Sequence, residues 1–193
     1  MTMLAVHPWP GPAPAPQDGL FVLFLRTDAQ RDAARIQVRQ AAREALAAAL
    51  DHPLDDIGID STPGSPPRIT LAGDACAIGC SFAHEDGYAL AAVNLHGAVG
   101  VDLMRVQDIP DWQAVARDYL GPAASAALQT ASTDDRPRAF AQAWTRREAA
   151  LKRAGQRLAE WQADINDATI MLSLPLPELV GCIALLPEKV ILC

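Results

Sequence analysis

Two rhythms of apolar and polar positions run along the chain. Residues 20–25 form an unbroken apolar run of strand length. Between residues 28 and 50 the period lengthens, with Ala34, Val38, Ala41, Ala42, Ala45, Leu46 and Ala49 at helical spacing while Arg31, Arg35, Arg39 and Arg43 step by fours. This predicts an amphipathic helix with an arginine stripe, capped by Asp28 and stopped near His52-Pro53. A turn-rich stretch at 61–67 leads into four strand-like runs, 68–71, 77–82, 88–93 and 98–103, which read as an antiparallel meander. Two helical stretches follow: 111–130, interrupted at Gly121-Pro122, and 134–154, with Pro137 in its first turn behind an Asp134/Asp135 cap. Strands at 169–174 and 179–186 complete the pattern.

That order implies an α+β fold in which helices pack on sheets. The expected organisation is a Pro-rich leader at 1–18, extended or loosely ordered, an N-terminal α+β half at 19–95 and a C-terminal α+β half at 96–193. No repeat is visible in the sequence, although a structural duplication with halves meeting near residue 95 is compatible with it.

Composition narrows the function classes. With 193 residues, 50% hydrophobic, the chain suits a soluble globular protein with its own core. The most apolar region, 168–187, is broken by Pro175, Pro177 and Glu178, so no membrane span is expected. The N-terminus lacks the basic start and continuous apolar stretch of a secretory signal, which points to the cytoplasm. Cys76, Cys80, Cys182 and Cys193 show no disulfide framework, and no second pair completes a zinc site with Cys76 and Cys80. A net charge of −7 argues against a nucleic-acid partner. Yet five of the 16 basic residues lie between Arg26 and Arg43 and seven more between Arg136 and Arg157. Such segments are solvated helix faces or meet around a phosphate-rich ligand or an acidic partner.

Two stretches could carry chemistry. Phe140, Trp144, Glu148 and Lys152 fall four apart and share one helix face, where the aromatics imply partial burial and the carboxylate wants a partner or a metal ion. A surface Glu–Lys pair has the same spacing. Asp102, alone in the apolar run Val99-Gly100-Val101-Asp102-Leu103-Met104, reads equally as a hard-cation ligand or as a strand-end residue capping a turn.

Together, G-V-D-x-x and, some 40 residues on, W-T-x-x-E-A-x-x-K resemble the Sfp-type 4′-phosphopantetheinyl transferase family. Asp102, Trp144, Thr145, Glu148, Ala149, Lys152, Gly155 and Leu158 fit its core motifs. Gly64-Ser65-Pro66 looks like its G-K-P turn, Ser81-Phe82-Ala83-His84 occupies the place of S-x-S-H-S, and the Arg39/Arg43 helix resembles its basic helix. The resemblance implies two similar α+β halves with coenzyme A between them. It further implies Mg²⁺-dependent transfer of phosphopantetheine to a serine of an acyl or peptidyl carrier protein, by a monomer serving fatty-acid, polyketide or nonribosomal-peptide synthesis. On that basis Asp102, Glu148 and Lys152 are the catalytic set, Asp102 and Glu148 hold the metal, and Lys152 sets a charge on the phosphates. Arg39, Arg43, Gly64, Ser65, Pro66, Arg68, Ala83 and His84 form the coenzyme site. The chain departs from the family at Met104 (a metal-binding Glu in many members), Ala83 and Glu85 (serines), Ser65 (lysine), Arg147 (lysine) and Arg157 (glycine). These changes motivate an alternative, a catalytically weak relative that binds carrier protein or coenzyme A without transfer.

Overall fold

β3 (Leu20–Arg26) forms where the apolar run predicts it and splits its residues between two cores. Phe21, Leu23 and Leu25 pack beneath α1 (Arg31–Leu50), whereas Leu20, Val22 and Phe24 face a second sheet. These details come from a computed structural model describing residues 4–27, 31–62, 65–163, 165 and 167–187, with Arg31 described by its backbone alone. The expected Asp28 cap lies outside the described residues. α1 ends as anticipated: Asp51 takes a left-handed φ of 54° and the His52 N–H donates to the Ala47 carbonyl at 3.0 Å, satisfying a terminal acceptor.

The architecture is mixed α+β. One four-stranded sheet runs β2-β3-β8-β7, from β2 (His7–Trp9), β3, β7 (Gly79–Glu85) and β8 (Tyr88–Asn94). The other runs β1-β10-β11-β9, from β1 (Leu4–Ala5), β9 (Val99–Arg105), β10 (Ala168–Ser173) and β11 (Leu179–Leu185). In both, a strand leads to a long helix and two further strands, and the last of these pairs antiparallel between the other two. A small sheet of β4 (Ile57–Asp60), β5 (Arg68–Leu71) and β6 (Asp74–Ala75) sits beside α1.

The expected meander is therefore wrong. Of the four expected runs only β7 and β8 pair with each other; β5 joins β4 and β6 in the small sheet, and β9 pairs with β11. Local alternation specifies a half-buried strand, not its partner, and pairing follows which faces must be covered. The leader is more structured than expected, because β1 pairs parallel with β10 and β2 pairs parallel with β3. The 111–130 stretch is interrupted where expected: α2 (Trp112–Val115) runs into a π-helical turn (Ala116–Leu120), and Gly121, with φ 83° and ψ 175°, breaks the helical path before α3 (Gly121–Thr130).

α4 (Arg136–Arg153) covers the second sheet. Pro137 lies in its first turn, where a missing N–H costs least. Asp135 is the N-cap residue, but its carboxylate accepts the Ser132 hydroxyl at 2.7 Å instead of capping the helix. No helix among the described residues is long and apolar enough to cross a membrane.

Candidate active site at the junction of two sheets

The position of α4 depends on Gly100. A Cβ there would stand 1.9 Å from the Ala149 carbonyl oxygen and 2.6 Å from the Arg153 nitrogen, so only glycine lets the helix lie this close to β9. The approach sets Lys152 over Asp102. Asp102 is in mid-strand opposite Cys182 and 8% exposed, so it does not cap a turn. The Lys152 ammonium donates to Asp102 Oδ1 at 2.8 Å, to the Val101 carbonyl at 3.1 Å and to the Phe82 carbonyl at 3.4 Å. All three of its protons have acceptors, so Lys152 is Asp102's counter-ion and a tie between β9 and β7 before any ligand arrives. α4 stops one residue later, at Arg153, and beyond it Gly155 (φ 66°) sends its N–H to Lys152 O at 3.1 Å and Gln156 sends its own to Leu151 O at 2.8 Å. Pro66 packs against that terminus, 3.4 Å from where a Cβ on Gly155 would lie.

Beside this junction opens a cleft of about 480 Å³ between α1, the loop before β5, β7 and α4. Arg39, Ser65, Pro66, His84, Glu148 and Lys152 all line it, although they are drawn from both halves of the sequence. Arg39 is held by a hydrogen bond to Ser61 Oγ at 3.1 Å.

Other predicted residues stand elsewhere. The Arg43 guanidinium turns away to the carbonyls of Ile57 (2.9 Å), at the start of β4, and Leu54 (3.2 Å), in the turn before it. Arg68 lines a neighbouring cavity of about 390 Å³. Ala83 is buried between the sheets, because β7 alternates and sends Cys80, Phe82 and His84 the other way. Glu85 shares the Ala83 face; its carboxylate accepts the Arg105 N–H at 3.0 Å and does not line the cleft. Gly64 lies outside the described residues.

Burial pushes the Asp102 carboxyl above the usual carboxylate range, against the pull of Lys152. Glu148, half-buried, is also raised, first by desolvation and then by the Asp102 charge, with Lys152 and Arg147 opposing. Two desolvated carboxylates thus share one ammonium, an imbalance that a hard divalent cation would correct with oxygen ligands of the right kind. The donor set fits such an ion, with two protein ligands. Met104 adds none: it packs with Phe140, Ala141, Trp144 and Val180 in the apolar clusters beneath α4. No group of three or more His, Cys, Asp or Glu suited to a metal occurs among the described residues.

Among the residues that also line the cleft, Val38, Ser61 and Gln156 escape sequence reasoning as site residues, and Arg157 enters it only as a departure from the family pattern. The expected helix face could have implicated Val38; nothing local marks Ser61. The aromatic anchor behaves as predicted: Phe140 is buried and stacks on Trp144 at 6.1 Å between ring centres.

Residues 98–175 match the 4′-phosphopantetheinyl transferase superfamily. A Synechocystis protein provisionally named a 4′-phosphopantetheinyl transferase is 29% identical over 79 residues, 41% of this chain. The chain matches about a third of that relative's length, 32%. The matched region contains Asp102, Glu148 and Lys152. Arg39, Ser65, Pro66 and His84 fall outside it and reach the same cleft through the fold.

Proposed function

We propose that this chain, whose residues 98–175 match the 4′-phosphopantetheinyl transferase superfamily, transfers 4′-phosphopantetheine from coenzyme A to a serine of an acyl or peptidyl carrier protein. The observation that carries this reading is the cleft itself, where Glu148 and Lys152 of the matched region face Arg39 and His84. The serine oxygen bonds to the pantetheine-side phosphorus, the pyrophosphate P–O bond breaks, and adenosine 3′,5′-bisphosphate leaves.

Each residue has a physical task. Arg39 and His84 bind the coenzyme phosphates, with Arg39 already oriented by Ser61. Ser65 and Pro66 wall the coenzyme's side of the cleft. Glu148 takes the serine proton, since its raised affinity for protons strengthens it as a base. Asp102 and Glu148 would hold Mg²⁺, which when bound supplies positive charge to the pyrophosphate oxygens. Lys152 keeps Asp102 charged and in place. The matching topologies of the two sheets support two halves, 19–95 and 96–193, with coenzyme A between them in a monomer.

Intact mass of apo carrier proteins, after incubation with the chain, coenzyme A and Mg²⁺, tests the reading. A gain of one phosphopantetheine, lost with EDTA, is the expected result. The apolar packing of Met104 favours the second reading, binding without transfer. Coenzyme A binding by calorimetry with no mass gain in any carrier would establish it.

A further inference from the structure

β7 and β9 are edge strands of the two four-stranded sheets, and no ladder joins them. Backbone groups along such a junction need partners from side chains, because a buried N–H or C=O without one is costly. Val101 turns both of its groups toward the junction. Its N–H donates to Ser81 Oγ at 3.1 Å, a buried bond across the junction, and its carbonyl accepts the Lys152 ammonium at 3.1 Å. The same ammonium reaches Phe82 O, one residue from Ser81, and Asp102 Oδ1, one residue from Val101. At the far end of β9, Glu85 accepts the Arg105 N–H. Ser81 is 4% exposed and one of four buried polar residues described, with Thr27, Asp102 and Thr145.

We propose that Ser81 is a positioning residue for the Asp102–Glu148 pair: its hydroxyl pins β9 at Val101, so that Lys152 finds Val101, Phe82 and Asp102 within reach at once. Removing the hydroxyl frees the edge of β9 beside the carboxylate, and the ammonium can no longer satisfy all three acceptors together. Ser81 touches no reacting atom and acts through strand position. The proposal rests on the reading of Asp102 and Glu148 as metal ligands.

The test uses the full metal-free chain with Mn²⁺ as probe. Free Mn²⁺ is read by electron paramagnetic resonance, and exchange of the Val101 amide by nuclear magnetic resonance. Ser81→Ala is expected to speed Val101 exchange and weaken Mn²⁺ binding about tenfold, the size typical for loss of a group that orients a metal ligand. Ser81→Thr, which keeps the hydroxyl, is expected to restore both. Ile57→Val thins the core beneath α1 and controls for general destabilisation; it is expected to lower the melting temperature without changing Mn²⁺ affinity. Wild-type Mn²⁺ affinity in Ser81→Ala, or failure of Ser81→Thr to rescue, overturns the proposal. A wild-type chain that binds no Mn²⁺ overturns the metal reading beneath it.

Discussion

A methyl group on Gly100 would lie 1.9 Å from the carbonyl oxygen of Ala149. The glycine before the acidic residue of β9 therefore sets the distance at which α4 crosses the strand, and with it the meeting of Lys152 and Asp102. Gly100→Ala is expected to cost about 3 kcal/mol by forcing the helix outward. Gly73→Ala supplies the contrast, since no atom lies within 4 Å of its Cβ position and only the strain of a φ of 89° remains, about 1 kcal/mol. Urea unfolding of the two variants checks the difference, and equal losses would show that α4 yields freely.

Lys152→Met strands the Asp102 carboxylate, whose side chain is 11% exposed, and is expected to destabilise the fold by about 3 kcal/mol while abolishing transfer. The double variant Asp102→Leu/Lys152→Met should recover most of that stability, because apolar groups replace the whole pair, but no activity. Additive losses in the double-mutant cycle would count against the coupling.

Met104→Glu puts a third carboxyl among Phe140, Ala141 and Trp144, one residue beyond Leu103 from Asp102. The metal-free variant is expected to lose about 2 kcal/mol, roughly 6 °C in melting temperature. Saturating Mg²⁺ should return part of this, since an ion bound only by the folded state stabilises it. A melting temperature unmoved by Mg²⁺ would mean that the side chain at 104 does not reach the ion.

Burial pushes the thiols of Cys80 and Cys182 up to about 12, whereas Cys76 is only partly buried. In a Cys193→Ser background at pH 8, Cys76 should react with a disulfide reagent and the other two only after unfolding. The pH dependence has a definite sign. Raised folded-state values mean that the unfolded chain releases these protons first, so their contribution is intact below pH 9 and declines as pH rises toward 12. Labelling followed by peptide mass mapping tests this, and rapid modification of Cys182 in the native protein would contradict it.

Deleting residues 1–12 removes β1 and β2, one from each large sheet, together with the Trp9 indole bond to Glu44 at 3.2 Å. A lower melting temperature and faster exchange in β3 and β10 are expected from hydrogen-exchange mass spectrometry. Trp9→Ala alone should cost about 2 kcal/mol, less than a fully buried tryptophan because Trp9 is only partly buried. Unchanged exchange in β10 would show that β1 adds nothing to its sheet.

The amino-acid sequence determined what is local. Helical spacing located α1 and α4, Pro137 marked the first turn of α4, and the four-residue step from Phe140 to Lys152 put the aromatic pair and the charged pair on one face. These follow from the 3.6-residue period and from backbone sterics, which a short window of sequence contains. Strand runs were legible by the same means. What only the tertiary structure decided is who meets whom. Nothing local distinguishes Arg39, which lines the cleft, from Arg43, whose guanidinium is taken by Ile57 and Leu54 carbonyls one turn later. The partners of β5 and β9, the recruitment of β1 and β2, and the tie from Lys152 to Phe82 and Val101 join residues far apart in the chain. Such pairings are selected by burial of whole faces and by the need to satisfy every buried polar group, both properties of the assembled chain.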